Sequence, residues 1–198
     1  MSKLFTRITF FPLLFTLSLQ ADEANYETAI LAGGCFWCIE SDFEKLEGVV
    51  DVVSGYTGGQ LKNPSYMQVS AGSSGHLEVV KVTFDPAQID YQQILDYFWW
   101  HIDPTRDDGQ FCDRGEQYRP AIFYQGAEQK AVAEASRARI ESIKPFPEAI
   151  KVELIPASTF YPAEDYHQDY ARKNPLRYRY YRYSCGRDRR VTELWGDT

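Results

Sequence analysis

The stretch LAGGCFWC at residues 31–38 constrains this chain more than any other. Apolar residues lead into a glycine pair, and Cys35 then opens a segment in which Phe36, Ile39 and Phe43 fall on one stripe at helical spacing. A strand that turns straight into a helix buries its apolar side only against further elements, and the flanking sequence supplies them at short intervals. Residues 26–32 read as the strand and residues 35–45 as the helix, which Gly48 stops. Residues 49–56 form a second strand. Residues 76–84 alternate, with Leu77, Val79, Lys81 and Thr83 facing opposite to Glu78, Val80, Val82 and Phe84. Asp90, with Gln93 three positions on, caps a helix running through Trp100. Pro64 starts a short helix inside the Gly- and Ser-rich loop 58–75, and a long polar loop covers 103–120. A strand at 121–124, an Ala/Glu/Lys/Arg-rich helix at 127–143 and a strand at 150–155 follow, and the remainder is Tyr- and Arg-rich with little periodicity. Strands and helices interleave at hairpin-like spacings with no repeat and no linker, which predicts a single two-layer α+β sandwich rather than a doubly wound sheet.

The first 21 residues stand apart from this domain. Lys3 and Arg7 precede an apolar run at 8–19 that is too short to span a bilayer core as a helix, which takes roughly 20 residues. The pattern fits a secretory signal cleaved after Ala21, leaving 22–198 as one catalytic domain, exported and periplasmic, with no stable membrane anchor. Cleavage removes two basic residues and no acid, so the net charge moves from −7 to −9. So acidic a chain is a poor general nucleic-acid binder. Export also carries all four cysteines into an oxidising compartment, where Cys112 and Cys185 are expected to pair.

Cys35 at a helix start sits among backbone N–H groups that have no partner within the helix, so its thiol is expected below the ordinary range. Cys38, one turn on, can reach the same sulfur. Three functions compete for this pattern: a thioredoxin-type dithiol–disulfide oxidoreductase, a zinc module using Cys35, Cys38, Cys112 and Cys185, and a thiol enzyme that reduces a small oxidised substrate. Zinc lacks a second C-x-x-C spacing. Phe36 and Trp37 between the two cysteines form an apolar wall that suits a substrate carrying a methyl group.

The motifs GGCFWCIE, GYTGG, NPSY, GHLEVV, DRGEQYR and AEDYHQ, in that order from Ile30 to Pro175, resemble the methionine sulfoxide reductase A family. The resemblance implies an α+β fold with a mixed central sheet, related to ferredoxin-like folds. It also implies reduction of one methionine sulfoxide epimer, free or in proteins, with a thioredoxin-like reductant, no bound cofactor or metal, and a monomer. Cys35 would attack the sulfoxide sulfur. Phe36 and Trp37 would hold the substrate methyl, and Glu78 would protonate the oxygen. Tyr66 and Tyr118 would donate hydrogen bonds to that oxygen, and Asp113 would orient substrate or water at the pocket mouth. The chemistry asks for these types: a sulfoxide oxygen leaves only when protonated, and phenols are donors that stay neutral at pH 7. Glu78 shares its strand face with Val80, Val82 and Phe84, an unusual setting for a solvated carboxylate. His167 reads as a core histidine bonded to backbone.

Two departures from the family pattern matter. Cys38 stands where many members carry Gly, and no Gly-rich run precedes Cys185, so Cys38 is expected to resolve the Cys35 sulfenic acid before Cys185 relays the disulfide outward. Glu116 replaces the usual Thr before Gln117-Tyr118. Residues 171–190 hold eight Lys/Arg and one acid, and beside so acidic a body this tail is expected to fold back on it rather than bind nucleic acid.

Overall fold

A computed structural model describes residues 25–196, so the expected signal segment lies outside the described residues. In chain order the elements are β1 (Glu27–Ala32), α1 (Phe36–Phe43), β2 (Val49–Thr57), α2 (Tyr66–Ser70), β3 (Leu77–Phe84) and α3 (Tyr91–Trp99). A minimal hairpin follows, β4 (Gly109–Gln110) and β5 (Asp113–Arg114), then β6 (Ala121–Tyr124), α4 (Gly126–Ile143), β7 (Glu153–Pro156) and β8 (Tyr161–Pro162). The chain ends in α5 (Tyr170–Lys173), α6 (Pro175–Cys185) and α7 (Arg187–Trp195). None of the described helices is long and apolar enough to cross a membrane.

Six strands form one sheet in the order β7-β6-β1-β3-β2-β8. Only β6–β7 is parallel, so the sheet is mixed as expected. Strand β1 lies between β6 and β3 and is buried on both faces. Ala29 and Leu31 join the main core with α1, α3 and α4, while Ile30 and Ala32 join a smaller cluster with Leu77, Val79 and Phe123. The alternation along β3 holds: Val80, Val82 and Phe84 enter the main core on the helix side. Because β1 and β3 are antiparallel, with Leu31 opposite Val80, the end of β1 and the start of β3 meet at one edge. That edge is where the chain places Cys35 beside Glu78.

Local signals explain most boundaries. Asp90 accepts from Gln93 N–H at 2.8 Å and Gln93 returns a bond to Asp90 N–H, capping α3 reciprocally. The tail departs from expectation: residues read as aperiodic form three helices. Pro175 opens α6, and Gly186, at φ 70°, ends it and starts α7. The inner side of α6 carries Tyr178, Tyr181 and Arg182, residues that do not register as an apolar stripe. The basic tail does fold back. Arg182 pairs with Asp42 at 2.8 Å, and Arg190 pairs with Asp103 at 2.8 Å.

Buried Ser136 explains one oddity in the Ala-rich α4. Its Oγ accepts from Trp99 Nε1 at 3.0 Å and from Gln92 Nε2 at 3.2 Å. Ser136→Ala leaves a fully buried indole N–H unpaired and is expected to lower stability by about 1–3 kcal/mol. Urea unfolding with an unchanged m value and a lower midpoint would register the loss.

Candidate active site

Two glycines set the approach to Cys35. A Cβ on Gly33 would lie 2.5 Å from Ile39 Cδ1, and Gly34 takes φ 86°, where a Cβ would also meet Gln110. The turn is therefore tight enough for β1 to feed α1 directly, with Cys35 as the N-cap residue. Cys35 and Cys38 are both free and buried, in one cluster with Tyr170 and Tyr178. Beneath them Arg187, fully buried, donates to Gly33 O at 3.2 Å and to His101 O at 2.8 Å, bolting the start of α7 to the glycine turn.

Glu78 points at the same helix start. Its Oε2 accepts the Phe36 N–H at 3.1 Å, and the side chain is 2 % exposed. Burial pushes its carboxyl up to about 8, against the Phe36 bond, with Asp113 and Cys38 adding to the rise. Glu78 is thus predominantly the acid at pH 7. The helix-start N–H that was expected to favour a Cys35 thiolate is bonded to Glu78 instead. Burial, the Cys38 sulfur and Glu78 raise the Cys35 thiol well above its ordinary value, which corrects the expected lowering. Cys38 is shifted the opposite way by its bond from Cys35, aided by Arg187 and Arg182.

Seven expected residues meet around one cavity of about 80 Å³: Cys35, Phe36, Trp37, Tyr66, Glu78, Asp113 and Tyr118. That volume takes a few heavy atoms, far short of a drug-sized ligand. Tyr66 opens α2 and is fixed by Glu164, which accepts the Tyr66 N–H and the Tyr56 hydroxyl, each at 2.9 Å. His76 ties the GYTGG loop to β3, accepting from Gly59 N–H and bonding Leu61 O at 2.7 Å. Burial holds the Tyr66 phenol at about 12 and raises Tyr118 further, so both are neutral donors. Burial also raises Asp113, which the Tyr181 hydroxyl opposes by donating to it at 2.6 Å.

The two remaining expected residues sit at the edges. Cys38 lies behind Cys35 rather than in the cavity, and Cys185 is joined to Cys112 in a disulfide with Cα atoms 4.9 Å apart, as expected. Cys112, Asp113 and Cys185 are the one metal-type donor cluster among the described residues, and its sulfurs are bonded to each other. A four-cysteine zinc site is therefore not what these residues build. Sequence reasoning missed Tyr181, the eighth lining residue, which α6 brings over Asp113. No signal marks it among 14 tyrosines. His167 also differs from expectation: it bonds through its ring not to backbone but to the Trp37 indole, whose Nε1 donates to Nδ1 at 3.0 Å.

A buried thiol pair at a helix start, a carboxyl kept protonated at neutral pH and three phenols around a small cavity define a thiol-dependent reductase site on an α+β sheet. The family model described as Peptide methionine sulfoxide reductase matches residues 27–198. A Vibrio cholerae protein named Peptide methionine sulfoxide reductase MsrA/MsrB is 58% identical over 179 residues, 90% of this chain and 47% of that one. The chain thus spans about half of that relative. Against Peptide methionine sulfoxide reductase MsrA 2 of Caulobacter vibrioides the identity is 53% over 171 residues, 86% of each chain. Among solved structures, the reduced form of Mxr1 from Saccharomyces cerevisiae superposes with a TM-score of 0.67 at 30% identity, covering 80% of this chain and 91% of that one. The chain belongs to the peptide methionine sulfoxide reductase family.

Proposed function

We propose that this protein reduces methionine S-sulfoxide, free or within proteins, to methionine, with Cys35 receiving the oxygen. The observation that carries the reading is Glu78, a buried carboxyl bonded to the Phe36 N–H and lining the same small cavity as the Cys35 sulfur, where burial favours its protonated form. In that cavity the substrate methyl lies against Phe36 and Trp37, its oxygen faces Glu78, Tyr66 and Tyr118, and its sulfur faces Cys35. With the methyl and the oxygen so held, only one epimer also sends the rest of its chain out of the cavity while its sulfur faces Cys35.

Cys35 attacks as Glu78 gives its proton to the sulfinyl oxygen, and the thiol proton of Cys35 replaces the one Glu78 loses. Attack on the sulfinyl sulfur forms a Cys35–methionine S–S bond, which then breaks with its electron pair going to methionine as the hydroxyl passes from the methionine sulfur to the Cys35 sulfur. Methionine sulfur gains two electrons and Cys35 becomes the sulfenic acid. Cys38 then displaces water to give a Cys35–Cys38 disulfide. An external thioredoxin-like dithiol reduces the Cys112–Cys185 disulfide through the exposed Cys112, and the two thiols so released reduce Cys35–Cys38 by exchange, which restores the free pair and the Cys112–Cys185 bond. The apolar run at 8–19 behind Lys3 and Arg7 supports export to the periplasm, which cell fractionation would test.

Reduction assays on the separated epimers, with dithiothreitol as electron donor, test the activity. The S epimer is expected to be consumed and the R epimer left. A protein that reduced insulin disulfides and ignored both sulfoxides would instead be a thioredoxin-type oxidoreductase.

A further inference from the structure

Trp37 is a cavity wall held both by aromatic contacts and by a hydrogen bond. Its indole stacks on Tyr170 at 3.7 Å with the planes 5° apart, and Tyr181 meets it edge-on at 5.9 Å. Stacking alone leaves an indole free to slide or flip in its plane. The bond that removes this freedom is Trp37 Nε1 to His167 Nδ1, 3.0 Å long. His167 is itself 1 % exposed and wedged against Phe36 and Tyr66, with ring centroids 5.0 and 4.4 Å away. Its Nε2 is buried without a partner. An imidazole whose Nδ1 accepts must carry its proton on Nε2 and stay neutral, because the imidazolium has no acceptor nitrogen.

We infer that His167 is the positioning residue that sets Trp37, and with it the part of the cavity that grips the substrate methyl, through a neutral Nδ1 acceptor. Burial lowers the imidazole pKa and so keeps that acceptor present at neutral pH. The charged group facing it, Glu164, pulls the other way. Glu78 lies across the cavity, where its carboxyl is neutral at pH 7. The inference rests on the proposed reduction of a methyl sulfoxide. It adds a role that involves no proton transfer to substrate: His167 does not line the cavity.

The role separates binding from chemistry. In single-turnover reduction of methionine S-sulfoxide, His167→Leu is expected to raise the half-saturating concentration about tenfold, equal to about 1.4 kcal/mol, with the saturating rate within about threefold of wild type. His167→Asn, whose Oδ1 occupies the Nδ1 position, is expected to recover most of the loss. His167→Gln, whose oxygen sits at the Nε2 position, is not. The Trp37 indole N–H resonance, assigned by its disappearance in Trp37→Phe, reports the bond without reference to activity. It is expected downfield and slow to exchange in wild type and Asn, and upfield and fast in Leu.

The inference is overturned by nitrogen-15 shifts that place the His167 proton on Nδ1 in the wild-type protein, a measurement that needs no folded variant. It is also overturned if Leu lowers the saturating rate and leaves half-saturation unchanged, or if Asn behaves like Leu. A wild-type protein that reduces no sulfoxide, with the indole resonance as expected, would remove the proposed function and leave the His167–Trp37 geometry standing.

Discussion

Glu78→Gln is expected to slow single-turnover reduction by about 10²–10⁴-fold at neutral pH, the usual effect of losing a general acid, without unfolding the protein. Gln retains the volume and an oxygen that can accept the Phe36 N–H, so the start of α1 keeps its cap. What disappears is the transferable proton. With a folded-state value of about 8, the wild-type carboxyl is the acid below that pH, so the wild-type rate falls as pH rises through about 8 while the residual Gln rate lacks that limb. Stability carries the same signature with a definite sign. A carboxyl whose value rises from 4.5 to about 8 on folding binds more proton in the folded state between those values. Stability from this group therefore falls as pH climbs across that window, and Gln removes the slope. Rapid-quench rates and urea melts from pH 5 to about pH 9, where the wild-type acid is mostly lost, read both effects. Near-wild-type turnover of the Gln variant at pH 7 would take the acid role away from Glu78.

Cys38→Ser is expected to let the Cys35 sulfenic acid accumulate, slowing disulfide formation at Cys35 by about 100-fold or more, as loss of a pre-positioned partner does. The two cysteines share one buried cluster, Cys38 N–H donates to Cys35 O at 3.1 Å, and no chain movement separates them. Cys185 is already held by Cys112 and anchored on α6, so reaching Cys35 requires that disulfide to open first. The positive side chains near Cys38, Arg187 and Arg182, favour its thiolate, the form that attacks. Cys185→Ser is expected to leave this first disulfide to form and to slow only recycling. Peptide mapping after a single turnover distinguishes the two. A Cys35–Cys185 disulfide forming in Cys38→Ser at the wild-type rate would make Cys185 the resolving thiol.

Where a residue's neighbours in sequence decide its environment, the sequence was readable. The alternation of β3 put Glu78 on an apolar face, and the Asp90–Gln93 box marked the start of α3. Four of the six motifs brought seven residues to one cavity because each of those residues sits at the end or start of an element on the same sheet edge or in a loop above it. What was not readable depends on distant partners. The protonation of Cys35 turns first on its burial and on the Cys38 sulfur, with Glu78, 43 positions away, adding to the rise. Tyr181 and His167 gain their roles from α6 and from the loop before α5, which fold back onto α1 through Arg–Asp pairs and aromatic stacking rather than through an apolar stripe. Helices α6 and α7 bury tyrosine and arginine, and periodicity searches that count aliphatic residues pass over them.

Oxygen transfer from methionine to the Cys35 sulfur is the centre of this account, and trapping the product of that step tests it most directly. The double variant Cys38→Ser, Cys185→Ser, mixed with methionine S-sulfoxide in the presence of dimedone and digested for mass mapping, should carry one dimedone adduct on the Cys35 peptide for each methionine released. Methionine released without that adduct, or an adduct found on Cys112 in its place, would contradict it.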